Sequence, residues 1–356
     1  MSEQKSEKKV RIGFVGVGGM GQGAHLRNYV MVPNCEVVAL AEVKPKLAKA
    51  VAAKWGVPKV YASHEEMLAK EQLDGIVAAQ QFTRHGTLVP ELLKAGKPVL
   101  TEKPIAGSVE QGEKIVKAAK ANKTWMMIGY HKRSDPATML AKAEIDKLKA
   151  SGELGKLTYI RILMPAGDWV ANGFCQNVWS DDPNPELKWD PPASDMDKAT
   201  NDAYTGFVNY YIHQVNLMRH LLGETWTVHY AAKSGLLLAG ESAGGVTCSI
   251  EMSPYQTTID WQESALVCFE RGWIRLELPA PLAFTRPGSV EIMRDPGKGA
   301  QPKIEIPQLP WVHAMWQQAQ NFVDAVAGKR STLCTAEDAL EDIRLAREYI
   351  RIHKGK

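Results

Sequence analysis

The chain has 356 residues, 45% of them hydrophobic and 23% charged, with a formal net charge of +3. That length is too great for one ordinary core and suits two domains, and the absence of a basic block beyond Lys8, Lys9 and Arg11 argues against a nucleic-acid partner. Five cysteines without a CxxC pair fit neither a disulfide framework nor a zinc site; with polar first residues and no run approaching the ~20 apolar residues of a membrane span, they point to a cytoplasmic protein that binds no metal.

The apolar run 10–15 leads into Gly16-Val17-Gly18-Gly19-Met20-Gly21, after which the pattern turns helical. A second run, 35–41, ends at Glu42, about 20 residues after the glycines. Strand, glycines, helix, strand and acid in that order describe a dinucleotide site. Gly16 allows the tight turn, Gly18 lets backbone N–H groups approach a pyrophosphate, and Gly21 lets the helix pack on the sheet. Glu42 suits the ribose hydroxyls and disfavours the extra phosphate of NADP, so NAD is the expected cofactor. Lys44 and Lys46 either soften that repulsion or simply begin a solvated helix.

Further apolar runs at 60–61, 75–79, 99–101 and 125–129 alternate with helical stretches, which predicts a parallel sheet and a first domain over residues 1–133. The strand ending at Thr101 is followed by Glu102-Lys103-Pro104, placed where open α/β sheets bind ligands. Pro104 favours an extended Lys103, so Glu102 and Lys103 face opposite ways. A partly buried lysine there can polarise a reacting oxygen.

From 134 to 356 the pattern is α+β. Strands are expected at 158–164, 227–232, 246–252, 257–259, 266–270 and 273–278, several alternating as in an open, mostly antiparallel sheet. Residues 166–206 form a long loop with Trp169, Trp179 and Trp189, flat surfaces for a sugar ring or for packing, and Asp181, Asp182, Asn184 and Asp190 for hydroxyls. One helix is expected over 209–222, stopped by Gly223, with Asn209, His213, Asn216 and His220 along one stripe. His213 is the candidate general base and Asn209 its orienting group. His131, Lys132 and Arg133 form either a site for an anionic substituent or a solvated turn. The tail 336–352 reads as an amphipathic packing helix capped by Thr335.

Together the glycines, Glu42, Glu102-Lys103-Pro104, the run from Leu92 to Leu100, Gly129-Tyr130 with Arg133, Asp135 and Pro136, and the histidine helix resemble the Gfo/Idh/MocA oxidoreductase family over most of the chain. The resemblance implies a Rossmann domain binding NAD and a C-terminal α+β domain with an open sheet that often mediates homodimers or homotetramers. It also implies a cleft between the domains for a carbohydrate or polyol. Lys103 and His213 become the catalytic pair, with Gly16, Gly18, Gly19, Met20, Gly21, Glu42, Gln80, Glu102 and Lys103 at the cofactor. Lys103, His131, Arg133, Trp179, Asn209 and His213 fall to the substrate. Two departures stand out. Asn209 and Asn216 replace the family's usual aspartates around the histidine, and Gln80-Gln81-Phe82 replaces its Thr-Pro-Asn on the nicotinamide side. Two activities remain: hydride transfer from a sugar, polyol or glycoside alcohol to NAD, or redox-neutral glycoside cleavage through transient oxidation, elimination and re-reduction.

Overall fold

In the computed structural model, residues 8–355 are described, and the first seven residues of the polar start lie outside them. The fold resolves into two compact units. One comprises the chain up to Gly129 with the returning segments Gly173–Ala193 and Gln318–Leu340; the other comprises Tyr130–Asn172, Ser194–Gln317 and the chain from Glu341. The expected division at residue 133 lies close to the first of these crossings, and the two returns have no counterpart in it.

The first unit is built on six parallel strands, β1 (Val10–Val15), β2 (Cys35–Ala41), β3 (Lys59–Tyr61), β4 (Gly75–Ala78), β5 (Val99–Glu102) and β6 (Met126–Gly129), in the order β3-β2-β1-β4-β5-β6. Both faces are covered, which is why β4 reads as an unbroken apolar run and β1 as one broken only by Arg11, and Ile12, Phe14, Ile76 and Val77 are fully buried. The order reverses between β1 and β4, where a sheet of this kind opens a crevice at its carboxyl ends. Ser63 and Ser108 cap the helices His64–Lys70 and Val109–Ala121, and Gly56, in the left-handed region, closes Pro45–Trp55. The segment Gln318–Leu340 adds Phe322 against Tyr29 and Trp125, and the Cys334 carbonyl accepts the Ile128 N–H of β6.

The second unit carries eight strands: β7 (Leu157–Ala166), β8 (Trp226–Ala231), β9 (Leu237–Ser242), β10 (Thr247–Gln256), β11 (Glu263–Phe269), β12 (Gly272–Leu278), β13 (Ser289–Arg294) and β14 (Lys303–Glu305). Their order is β14-β13-β12-β11-β7-β10-β9-β8, antiparallel throughout except for the parallel pair β7 and β10. Burial alternates along β11 and β12, so Ala265, Val267, Ile274 and Leu276 enter the core while their neighbours face outward. The strand expected at 257–259 is absent. β10 runs on to Gln256, and Thr257 then turns, its hydroxyl donating to the Asp260 carbonyl.

The helix expected over 209–222 is two helices, Lys198–Tyr210 and Ile212–Leu222, joined at Tyr211. Asp197 caps the first and Gly223, at φ 74°, ends the second. Asn209 therefore belongs to the helix preceding that of His213.

Candidate functional site

The turn after β1 is held by the Gly16 N–H, which donates to the Ala41 carbonyl at 2.9 Å. Gly16 has φ +87°, and a Cβ on it would collide with the Gln80 side chain. A Cβ on Gly21 would stand 2.6 Å from the Gly16 carbonyl oxygen, so only glycine lets the helix that opens at Gly21 approach the turn. Around Gly18 there is nothing within 4 Å of a Cβ. That open approach is what a bulky, charged diphosphate needs from the backbone.

Glu42 follows β2 and lies across the turn: one carboxylate oxygen accepts from the Val17 N–H at 2.9 Å, the other from the Lys44 N–H at 3.0 Å. Each oxygen keeps a further lone pair for a hydroxyl. Gln80 braces the opposite wall, donating to the Val15 carbonyl at 3.3 Å and accepting from Arg84 at 2.7 Å. These groups line a cavity of about 680 Å³ that reaches from Gly16 and Gly18 past Glu42 to His64. Its glycine floor, open approach and ribose-side carboxylate fit a dinucleotide.

At the end of β5, Glu102 is buried and accepts from His25 Nε2 at 2.6 Å, while its other oxygen takes the Lys103 N–H at 3.3 Å. Burial alone would raise the Glu102 carboxyl; the His25 hydrogen bond and the charges of His25 and Lys103 outweigh it and hold the group below the usual carboxylate range. Lys103 is half-buried and joined to Pro104 by a cis peptide. His25, the buried partner of Glu102, is a residue that sequence reasoning missed: it sits one turn into the helix behind the glycines, with no local mark of its partner 77 positions away.

The segment Gly173–Ala193 packs on this first unit. Gln22 latches it, donating to the Val178 carbonyl at 3.0 Å and accepting the Val178 N–H at 2.8 Å. Asn177 donates to the Gly19 carbonyl, and the Trp179 ring lies 3.3 Å from where a Gly19 Cβ would be. Asp190 receives the Gly86 N–H and the Thr87 hydroxyl at the start of helix His85–Leu93, and Arg84 lies over the Trp189 ring. The loop residues read as hydroxyl ligands instead fasten the loop: Asp190 and Asp182 cap helices, Asp181 pairs with Lys46, and Asn184 accepts from Lys44. Trp179, expected at the substrate, lines the cavity of the glycine turn.

In the second unit the His213 ring packs edge-on against His131, 4.8 Å between centroids, and against Tyr130 at 5.9 Å. Asn209 is exposed. Arg133 and Asn216 belong to a buried network instead of a solvated turn or a cleft wall: Arg133 Nε donates to Asn216 at 2.7 Å, Asn216 donates to Asp342 at 2.7 Å, and Arg219 donates to Asp342 at 2.8 Å. Lys132 is likewise buried, paired with Glu263, whose carboxylate also accepts from Gln214 and Trp261. Asp135, the cap of helix Pro136–Ser151, is pushed up to about 6 by burial and further by the Glu263 charge, against the N–H groups of Ala137 and Gly288. Glu263 and Asp342 were not singled out from sequence, because buried acids on distant strands and helices look locally like surface charges.

Residues 10–130 match the model of the Gfo/Idh/MocA family, described as an oxidoreductase family with an NAD-binding Rossmann fold. An inositol 2-dehydrogenase of Rubrobacter xylanophilus is 33% identical over 150 residues, 42% of this chain and 42% of its own length, so the match spans about two fifths of that relative. The rhizopine catabolism protein MocA of Rhizobium meliloti is 26% identical over 95% of this chain and 93% of its own. A levoglucosan dehydrogenase solved with NADH and levoglucosan superposes with a TM-score of 0.74 at 16% identity, covering 98% of both chains, and so shares the fold. Over residues 10–130, the stretch that carries the six parallel strands, the chain is similar to the Gfo/Idh/MocA oxidoreductase family.

Proposed function

We propose that the protein is an NAD-dependent oxidoreductase that moves a hydride between NAD and a secondary alcohol of a polyol, sugar or glycoside. The observation that carries this reading is the cavity of the first unit, with its open Gly18 and its Glu42 carboxylate held by two backbone N–H groups. Relatives named inositol 2-dehydrogenase and a structural neighbour holding levoglucosan support a cyclic polyol or sugar as substrate. The protein we place in the cytoplasm, as a homodimer or homotetramer.

Bound NAD supplies the hydride acceptor. Gly16, Gly18, Gly19, Met20 and Gly21 present backbone to the pyrophosphate, Glu42 takes the ribose hydroxyls, and Gln80 and Glu102 shape the wall toward the nicotinamide. Lys103 acts on the substrate oxygen and His213 removes the hydroxyl proton, its ring steadied by His131 and Tyr130. Asn209 and His131 complete the substrate contacts. Arg133, engaged with Asn216, ties the segment of His131 to the helix that carries His213.

A second reading has one observation in its favour: the segment Gly173–Ala193 lines the dinucleotide cavity, which suits a cofactor that stays bound and is regenerated during glycoside cleavage. Supplying NAD with a panel of free polyols and aryl glycosides separates the two. Reduced nicotinamide formed in proportion to oxidised polyol supports the dehydrogenase. Aglycone release that needs only trace NAD, with no accumulation of NADH, overturns it.

A further inference from the structure

The helix Pro45–Trp55 begins three residues after Glu42, so its first N–H groups lie close in sequence to the carboxylate assigned to the ribose. A helix N-terminus is a ready site for an anion such as the extra phosphate of NADP. In this chain the place is already taken. One oxygen of Asp182 accepts the Leu47 N–H at 2.9 Å and the Ser180 hydroxyl at 2.7 Å, and the other lies 3.3 Å from the Lys46 N–H. The two ammonium groups that could pair with a phosphate are also engaged: Lys44 donates to Asn184 at 2.9 Å and Lys46 pairs with Asp181 at 2.8 Å.

We propose that Asp182, 140 residues beyond Glu42, is a second determinant of NAD over NADP: it fills the anion site at the helix start and, with Asn184 and Asp181, draws off the neighbouring cations. Without it, the turn would offer a phosphate two N–H groups and two lysines, a set that the single carboxylate of Glu42 opposes only in part. Asp182 stays ionised at neutral pH, since the Ser180 hydroxyl, the two N–H groups and the Lys46 charge outweigh burial and hold its carboxyl below the usual range. The proposal rests on the assignment of the cavity to a dinucleotide.

The test is calorimetric titration of NAD and of NADP into the full chain and into Asp182→Asn and Asp182→Ala. The asparagine keeps an acceptor for the helix N–H groups while removing the charge, so an effect common to both variants reports the charge. Both should raise NADP affinity relative to NAD by about tenfold or more, the scale on which like-charge opposition suppresses a wrong partner. Should one variant fail to fold, the other still decides, since each removes the charge; in the wild type, raising ionic strength should relieve the combined repulsion of Asp182 and Glu42 and narrow the preference for NAD. An unchanged ratio in variants that still bind NAD, or a salt-independent preference in the wild type, overturns the role of Asp182. A wild type that binds neither dinucleotide overturns the cavity assignment itself.

Discussion

Replacing Gly18 and Gly21 one at a time by alanine should give opposite signatures, because one glycine is there for the ligand and the other for the fold. A Cβ on Gly21 lies 2.6 Å from the Gly16 oxygen and 3.2 Å from its carbonyl carbon, both backbone atoms that cannot swing aside. Forcing a methyl into such a contact costs about 1–3 kcal/mol, against a helix-propensity gain of about 0.5–1 kcal/mol. The net loss should lower Tm by a few degrees, at about 2–4 °C per kcal/mol for a domain of this size. Gly18→Ala meets nothing within 4 Å and its φ lies outside the left-handed region, so stability should hold or rise by about 0.4–1 kcal/mol through the unfolded chain. Its methyl would stand where the pyrophosphate approaches, and NAD affinity should fall about tenfold, equivalent to about 1.4 kcal/mol. Thermal unfolding and calorimetric titration read the two quantities separately. A Gly18→Ala protein that binds NAD like the wild type refutes the assignment of this turn to the diphosphate.

Lys103→Ala should lose most turnover while still binding NAD, and near-normal kcat would remove Lys103 from the chemistry. His213→Ala should slow the reaction by about 10²-fold or more if it is the general base, with pH dependence of kcat altered; a change confined to KM would make it an orienting group. Lys132→Met should destabilise the second unit by about 3–5 kcal/mol in denaturant unfolding by leaving Glu263 buried without its cation, and Lys132→Met with Glu263→Gln should recover much of that. A single-variant loss below about 1 kcal/mol would show that the pair is not structural. Asp135 has a folded pKa of about 6, above the ordinary aspartate value of 3.8, so its favourable contribution is complete below the unfolded pKa and is lost as pH rises through about 6. The stability of the wild type relative to Asp135→Asn should accordingly fall by about 2–3 kcal/mol between about pH 4 and pH 6.5; a flat difference would contradict the assignment.

The dinucleotide half was legible because its signals are local. β1, β2 and β4 are buried on both faces, so each announces itself as an apolar run, and the glycines and Glu42 stand next to the strands that place them. The long loop is ambiguous in sequence for the converse reason. Tryptophans, acids and amides suit a sugar and suit a fastening strap equally well; only tertiary structure reveals that Asp182 and Asp190 cap helices more than 100 residues upstream. The polar stripe at His213 failed similarly. Its period was correct from Ile212 to Leu222, but Tyr211 ends the helix before it, and Asn216 is drawn inward by Arg133 and Asp342 on other segments. Nothing near the parallel pairing of β7 with β10, or the return of Gln318–Leu340 to the first unit, marks it in the sequence, since both are contacts between distant stretches.

The most direct test of hydride transfer is an isotope one. A mixture of cyclic polyols and sugars deuterated at their carbinol carbons is incubated with the protein and NAD, and the nicotinamide is analysed by mass spectrometry. Deuterium on the reduced nicotinamide, abolished in Lys103→Ala although NAD remains bound, is the expected result. Bound NAD that never acquires deuterium from any of these alcohols, or acquires it equally in Lys103→Ala, would contradict it.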